Sequence, residues 1–463
     1  MAGSPADAVG SFVQGKLFPR WADPAKERHC RRSGPVDLIV YRVGRCVITI
    51  RGRYPRNENR CFRGFPSRAH ELYPGGNCIM VAIWGTYPGF LEIYRNLDPE
   101  EKKEVCFVAS GKGQLEKYKD RFPVIDSEQL SGGQIERLII PLFEMRMVND
   151  IVWKVFRHTD IKADQIWIMD PAGLMSELKR YGSIKGILDC GKLPYVTGLE
   201  YDVVSHCNLN CRGCCHFSPL AEPGFGDPAA FQRDLARAHE LIDEIGEIRL
   251  VGGEPLLCDN LTEYIEAAHT VFPNTKIIVF TNGIRLGAVH DDLKDCMKKN
   301  GAVFSVSLYP PVMGYVKGMI KKLEAEGIGF ARDYIVPYFS AWINPAGDSD
   351  PAASAASCLI PLCYSIEHGR IYRCSTENKI RIYEKHYQTG TVFPEGGLDL
   401  YDPSLTASKL ASYLLSPVEM CRFCGRTRTF PWERAGKNPS AEDWYGDGKN
   451  TAEHIFSGNQ GGG

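Results

Sequence analysis

The sequence predicts an α/β protein built as two parallel-sheet units in series, the second a full or partial β/α barrel, with a small irregular extension after it. Three observations predict this. Short apolar strands alternate with helix-like segments through most of the chain, the pattern of parallel sheets. Between residues 196 and 340 no antiparallel hairpin breaks the alternation. The 463 residues are too many for one ordinary core, and 44 % apolar with 24 % charged residues is the composition of a folded globular chain.

The expected divisions are 1–195, 196–340, 341–450 and a flexible tail, 451–463, ending "SGNQGGG". Residues 1–70 hold fourteen Lys or Arg against five Asp or Glu. That excess suits an anionic partner or a solvated basic face; no aromatic-basic signature accompanies it, so nucleic acid is not expected. "VDLIVYRVGRCVITIRG" reads as two strands around Gly44 and Arg45. Then "CIMVAIWG", "EVCFVAS", "IERLIIPL" and "DQIWIMD" read as strands, with "FLEIYRNL" and "NDIVWKVFRHT" as helices. This rhythm describes a Rossmann-like domain, but its first turn, "GTYPGF", is a poor phosphate loop. Tyr87 stands where a second glycine would admit a pyrophosphate, and Pro88 removes a donor N–H.

In the next region "GLEYDVVS", "IRLVGGEP", "KIIVFTNG", "VFSVSLYP" and "GIGFARDYIV" read as strands, and "FQRDLARAHELIDEI" as an amphipathic helix. The reactive ends of such sheets are the C-terminal ends of the strands, where the cysteine loop, GGEP, TNG and SLYP all fall.

Seventeen cysteines without an export signal point to metal or redox chemistry in a reducing, cytoplasmic setting, since disulfides seldom persist there. No apolar run approaches the roughly 18 residues a membrane span needs. Cys78, Cys106, Cys190 and Cys296 sit among apolar or mixed neighbours and read as core thiols.

Cys207, Cys211 and Cys214 follow the first barrel strand in the loop "HCNLNCRGCCHFSP". Zinc would take close pairs, leaving Cys207 without a role. Three thiolates on one cubane leave an iron open to a small molecule, whereas an electron carrier normally has four. The C-x3-C-x2-C spacing after a strand, with GGEP ending the next, resembles the radical S-adenosylmethionine (SAM) superfamily. The resemblance implies a partial (β/α) radical SAM barrel over 196–340, a 4Fe-4S cluster on Cys207, Cys211 and Cys214, and SAM chelated by the open iron. It further implies SAM-binding roles for Gly252, Gly253, Glu254 and Pro255, for Thr281 and Asn282, and for Ser305 and Ser307 near Tyr309. Glu254 would accept hydrogen bonds from the SAM ammonium. The family often has an aromatic residue just before the third cysteine; Gly213 stands here, and Phe217 is the candidate substitute.

Downstream, Cys358, Gly369 and Cys374 resemble the opening of the SPASM and twitch extensions of radical SAM enzymes, with Cys421-Arg-Phe-Cys424 completing four ligands for one auxiliary 4Fe-4S cluster. Cys363 is an alternative to Cys358, and zinc on the same four thiolates is an alternative occupant. "IEHGRIYRC" reads as a hairpin delivering Cys374.

The resemblance implies cleavage of SAM to a 5′-deoxyadenosyl radical, which abstracts hydrogen from a small-molecule or sugar-type substrate in oxidation or epimerisation. A donor such as flavodoxin or ferredoxin would supply the electron. Epimerisation needs a hydrogen donor, for which Cys258 and Cys363 are candidates. Maturation of a ribosomal peptide, and a non-catalytic iron–sulfur protein in electron transfer or redox sensing, are the alternative readings.

Overall fold

The computed structural model describes residues 81–452 and the two strands β1, Leu38–Val43, and β2, Cys46–Arg51. The rest of the basic stretch, the core placement of Cys78 and the tail from 453 lie outside the described residues. Two compact units make up the chain, Met1–Arg63 and Gly64–Gly463. In the first, β1 and β2 pair antiparallel with Val43 opposite Cys46, the expected two strands.

The second unit opens with β3 (Val81–Trp84), β4 (Val105–Ala109), β5 (Val124–Asp126), β6 (Arg137–Pro141) and β7 (Ile166–Met169). They form one parallel sheet in the order β5-β4-β3-β6-β7, the doubly wound arrangement in which the direction of winding reverses beside the first strand. Every residue of β3 and β4 is buried, as strands covered on both faces must be. At the point of reversal Tyr87 and Phe143 pack ring to ring, centroids 4.4 Å apart. A Cβ on Gly85, whose φ is +83°, would lie 2.3 Å from the Tyr87 ring. The aromatic residue that spoils the glycine fingerprint thus also folds over the turn. The sequence reading passed over the helix Lys112–Tyr118 and the short β5, and over the helices Pro171–Tyr181 and Ile184–Asp189.

A small parallel pair follows, β8 (Leu193–Val196) with β10 (Ile242–Ile245). The predicted helix "FQRDLARAHELIDEI" is corrected here: the helix spans Pro228–His239, and "IDEI" becomes β10. Its apolar residues continue a helical period, but pairing with β8 buries Ile242 and Ile245 more completely.

The large sheet contains β9 (Leu199–Val204), β11 (Glu247–Gly252), β12 (Lys276–Thr281), β13 (Val303–Leu308) and β14 (Gly329–Ile335), all parallel, in the order β14-β13-β12-β11-β9. With β14 at one end of an open sheet, the barrel is partial. Alternate residues such as Tyr201, Val203, Leu250, Val279, Phe304 and Val306 pack in one core with the helices Pro228–His239, Leu261–Val271 and Met313–Ala325. The intervening residues, which turn to the opposite face, include Glu200, Asp202, Arg249, Ser305 and Ser307.

After β15 (Tyr338–Ile343), the hairpin of β16 (Tyr364–Glu367) and β17 (Arg370–Tyr372) closes through His368 and Gly369, both at positive φ. β16 pairs parallel with β9, so this hairpin and β18 (Leu398–Asp399) extend the barrel sheet on its other side. β19 (Cys424–Pro431) pairs antiparallel with β15. Among the described residues, no helix is long and apolar enough to cross a membrane.

Candidate functional site

Because β9, β11, β12 and β13 are neighbours and parallel, their C-terminal ends share one rim. The cysteine loop leaves β9 there and turns sharply, with Asn210, Gly213 and Phe217 at φ of +52°, +67° and +53°. Donors point at its sulfurs. Leu209 N–H reaches Cys207 Sγ at 3.4 Å, Asn282 Nδ2 reaches the same sulfur at 3.6 Å, and Trp432 Nε1 reaches Cys211 Sγ at 3.2 Å. Burial pushes the Cys207 and Cys211 thiols up and Cys214 to about 11, with Cys215 adding to the rise at Cys214. Such thiols ionise when a metal takes the proton's place, and N–H groups aimed at sulfur then stabilise the thiolate. The loop therefore fits an iron–sulfur group held by Cys207, Cys211 and Cys214.

The glycines of GGEP serve the approach of backbone to backbone. A Cβ on Gly252 would lie 2.2 Å from the Val204 carbonyl oxygen, and one on Gly253 would lie 1.9 Å from that of His206. In return Gly253 N–H donates to Val204 O at 2.8 Å and Glu254 N–H to His206 O at 3.1 Å. Glu254, 0 % exposed, is a clasp: its Oε1 accepts from Thr281 Oγ1 at 2.5 Å and Leu256 N–H at 3.1 Å, and its Oε2 from Asn282 N–H at 2.8 Å. Burial raises its carboxyl to about 7 against the lowering effect of those donors. Pro255 opens the short turn that follows and is buried. In this conformation the expected acceptor for an ammonium group instead ties the ends of β11 and β12 together.

Ser305 on β13 is 1 % exposed, and its Oγ has no partner. Ser307, on the same face, is hydrogen-bonded to Tyr309, whose hydroxyl burial pushes well above its ordinary value. Phe217 is corrected: at 2 % exposure it packs against Tyr383 and Trp444, centroids 6.0 and 6.1 Å away, and pins the loop down with no open face for an adenine. Cys258 packs in the barrel core, with its Sγ 2.9 Å from Asn260 Oδ1.

The residues the sequence reading missed come from "TFPWERAG" and beyond. Arg212 N–H donates to Glu433 O at 3.0 Å and Ala435 N–H to Asn210 O at 2.8 Å, so this segment lies along the cysteine loop. Trp444 Nε1 donates to Cys214 O at 2.8 Å. Arg212 stacks on Phe430 and pairs with Asp443 at 2.7 Å. A Cβ at Gly213 would meet the Phe430 ring at 2.7 Å, so a ring from β19 lies against the loop at the residue before Cys214. Aromatic and arginine residues clustered just after Cys424 were the available signal.

Cys358, Cys374, Cys421 and Cys424 line one cavity with Arg373, Thr376 and Ser354. Cys363 is not on that wall; Arg249 Nη1 lies 3.7 Å from its sulfur. Arg373 is 5 % exposed, its Nε has no partner, and its charge faces Cys421, Cys358 and Cys374. The Glu377 carboxylate also faces this guanidinium, and thiolates of a cluster would add to that balance. Among the described residues, no three His, Cys, Asp or Glu side chains close on a single metal ion.

Between the two cysteine sites runs a buried polar chain. His216 Nδ1 lies 3.1 Å from Asp202 Oδ2, Lys379 Nζ lies 3.3 Å from the same oxygen, and Lys379 also pairs with Glu367. Burial works against the Asp202 charge, but Lys379 and His216 outweigh it and hold the carboxyl well below its usual range. Lys379 belongs to the helix Ser375–Tyr387, whose N-cap is Cys374.

Residues 200–306 match the family described as a 4Fe-4S single cluster domain, a stretch that contains Cys207, Cys211, Cys214, GGEP and TNG. The chain is similar to the GTP 3',8-cyclase of Sulfurovum sp. (strain NBC37-1), 30 % identical over 142 residues, covering 28 % of this chain and 43 % of that protein. It is also similar to the S-adenosyl-L-methionine-dependent 2-deoxy-scyllo-inosamine dehydrogenase of Niallia circulans, 34 % identical over 87 residues, covering 18 % and 34 %. The chain spans less than half the length of these curated relatives. Among solved structures, BtrN in complex with AdoMet and 2-DOIA aligns with a TM-score of 0.34 at 20 % identity, over 54 % of this chain and 98 % of that one. Native anSMEcpe with bound AdoMet aligns with a TM-score of 0.25 at 16 % identity, over 30 % and 43 %. Residues 200–306 thus match a 4Fe-4S single cluster domain, and a second set of four cysteines, Cys358, Cys374, Cys421 and Cys424, follows it.

Proposed function

We propose that the chain is a radical SAM enzyme that abstracts hydrogen from a polar small molecule, sugar-like in its hydroxyl groups, and oxidises it by two electrons. One observation carries this: three thiols met by sulfur-directed donors share a rim with the Glu254, Thr281 and Asn282 clasp. When bound, the cluster with its open iron supplies the electron that splits SAM and so provides the hydrogen-abstracting 5′-deoxyadenosyl radical.

The chain's own residues do the rest. Cys207, Cys211 and Cys214 hold the group, Asn282 and Trp432 steady its sulfurs, and the GGEP turn keeps the loop against β11. The inward face, with Ser305 Oγ unpartnered and Ser307 beside it on β13, favours a hydroxylated substrate over an apolar one. Oxidation is favoured over epimerisation for two reasons. The four-thiol cavity with its buried Arg373 offers a place for the second electron, and the candidate hydrogen donors are enclosed, Cys258 within the barrel core and Cys363 against Arg249. A flavodoxin- or ferredoxin-type donor would reduce the cluster. The name of the Niallia circulans relative, a SAM-dependent dehydrogenase, agrees with this choice.

The test is anaerobic reconstitution, then SAM and dithionite with a panel of deuterated polyols and sugars. Deuterium in 5′-deoxyadenosine, with a ketone product, is the expected result. With an intact cluster, absence of 5′-deoxyadenosine would favour the electron-transfer reading, and return of an inverted alcohol would favour epimerisation.

A further inference from the structure

Trp432 stands at the far end of a strand that begins on the other cysteine site. β19 starts at Cys424, runs antiparallel to β15 with Pro431 opposite Tyr338, and delivers Trp432 to the cysteine loop. There its indole Nε1–H, the only donor the side chain owns, is spent on Cys211 Sγ at 3.2 Å. The contact is held on every side. Trp432 N–H donates to Pro337 O at 2.8 Å, and the neighbouring Glu433 and Ala435 bond to Arg212 and Asn210, the residues flanking Cys211. The ring also packs on Tyr309 at the end of β13, centroids 5.8 Å apart, and Tyr309 in turn on Phe339.

We infer that Trp432 is a positioning residue for the barrel cluster, its indole N–H fixing the Cys211 sulfur and raising the reduction potential of the iron–sulfur group bound there. This rests on the radical SAM reading of the loop. An N–H donor at a ligating sulfur favours the more negative, reduced state of a cluster, and hydrogen bonds to the sulfurs are among the recognised determinants of cluster potential. Asn282 aims a donor at Cys207 from 3.6 Å, a longer contact, so the tryptophan is the nearer of the two side-chain donors on this loop.

The experiment compares the full chain with Trp432→Phe, which keeps an aromatic ring against Tyr309 and loses the donor, and Trp432→His, which keeps a ring N–H. Iron and sulfide per chain and the midpoint of the SAM-responsive paramagnetic signal are measured for each. The expected result is equal loading, a more negative midpoint for Trp432→Phe, and an intermediate value for Trp432→His. A Trp432→Phe midpoint equal to that of the parent overturns the inference. Should that variant fail to load, pulsed resonance on the parent chain labelled with indole-15N decides: a 15N coupling to the reduced cluster supports the contact, and none overturns it. A parent chain with no SAM-responsive signal overturns the radical SAM reading and this inference with it, so the two failures are distinguishable.

Discussion

The two larger sheets of the unit from Gly64 onward each have a parallel strand that ends in a glycine-containing turn, and the turns have opposite uses. After β3, Gly85 makes room for Tyr87, which folds back and packs on Phe143 where the winding of the sheet reverses. After β11, Gly252 and Gly253 let the turn press on Val204 and His206, which brings Glu254 under Thr281 and holds the cysteine loop in place. One turn is closed with an aromatic ring; the other is cleared for polar groups and sulfur. The same strand and helix grammar thus carries a plugged site and an equipped one, and what decides between them is the few side chains beyond the strand ends.

The largest break in that contrast is Cys211→Ala. Iron should fall from about eight to about four per chain and formation of 5′-deoxyadenosine should cease, as iron and sulfide analysis and chromatography would show. Full iron with unchanged turnover would remove the equipped site from the comparison. Next is the pair Gly253→Ala and Gly85→Ala. The first drives a methyl into the His206 carbonyl and should cost on the order of 3 kcal/mol or more, with loss of iron. The second meets a movable ring at a left-handed position and should cost about 1–2 kcal/mol, with iron retained. Denaturant midpoints and metal content check both.

A smaller effect tests the join between the two sheets. Glu177, on the helix Pro171–Tyr181, is 1 % exposed and faces Asp243 and Glu244 of β10 with Arg180 nearby. Tyr181 and Lys192 also face Asp243. Burial, then Asp243 and Glu244, raise the Glu177 carboxyl to about 8. The folded state therefore keeps a proton the unfolded chain releases at ordinary carboxylate pH. The associated stability is full below roughly pH 4 and is lost as pH rises toward about 8. Glu177→Gln should flatten the fall in urea midpoint between about pH 5 and 8. The smallest effect belongs to Tyr87→Ala, which should cost about 1 kcal/mol of ring packing and leave iron content and 5′-deoxyadenosine untouched.

Much of this was legible in the sequence for a physical reason: the equipped rim is local. Three cysteines within eight residues, a GGEP turn and a TNG turn each announce themselves in a few adjacent positions, and strand alternation placed them on one edge. The hairpin at His368 and Gly369 was legible in the same way. What escaped was set by distant partners. "IDEI" keeps a helical period, and only β8 makes it a strand. β5 is three residues long, too short for any period to show. Trp432 and Phe430 act on residues more than two hundred positions earlier, Trp432 on Cys211 and Phe430 beside Arg212 and Gly213, and nothing near Phe217 in sequence foretells Tyr383 and Trp444 packed against it.

The parallel pairing of β16 with β9 bears on how the chain is made. β9 leads directly into the cysteine loop, and its second neighbour in the sheet arrives only with residues 364 and 365, after some 160 further residues have been synthesised. During translation that strand has a bare edge, and closing so long a loop is a slow, entropically costly event. The nascent barrel is therefore exposed to mispairing until the hairpin docks, and a ribosome pause placed before residue 364 should raise aggregation more than one placed after residue 372.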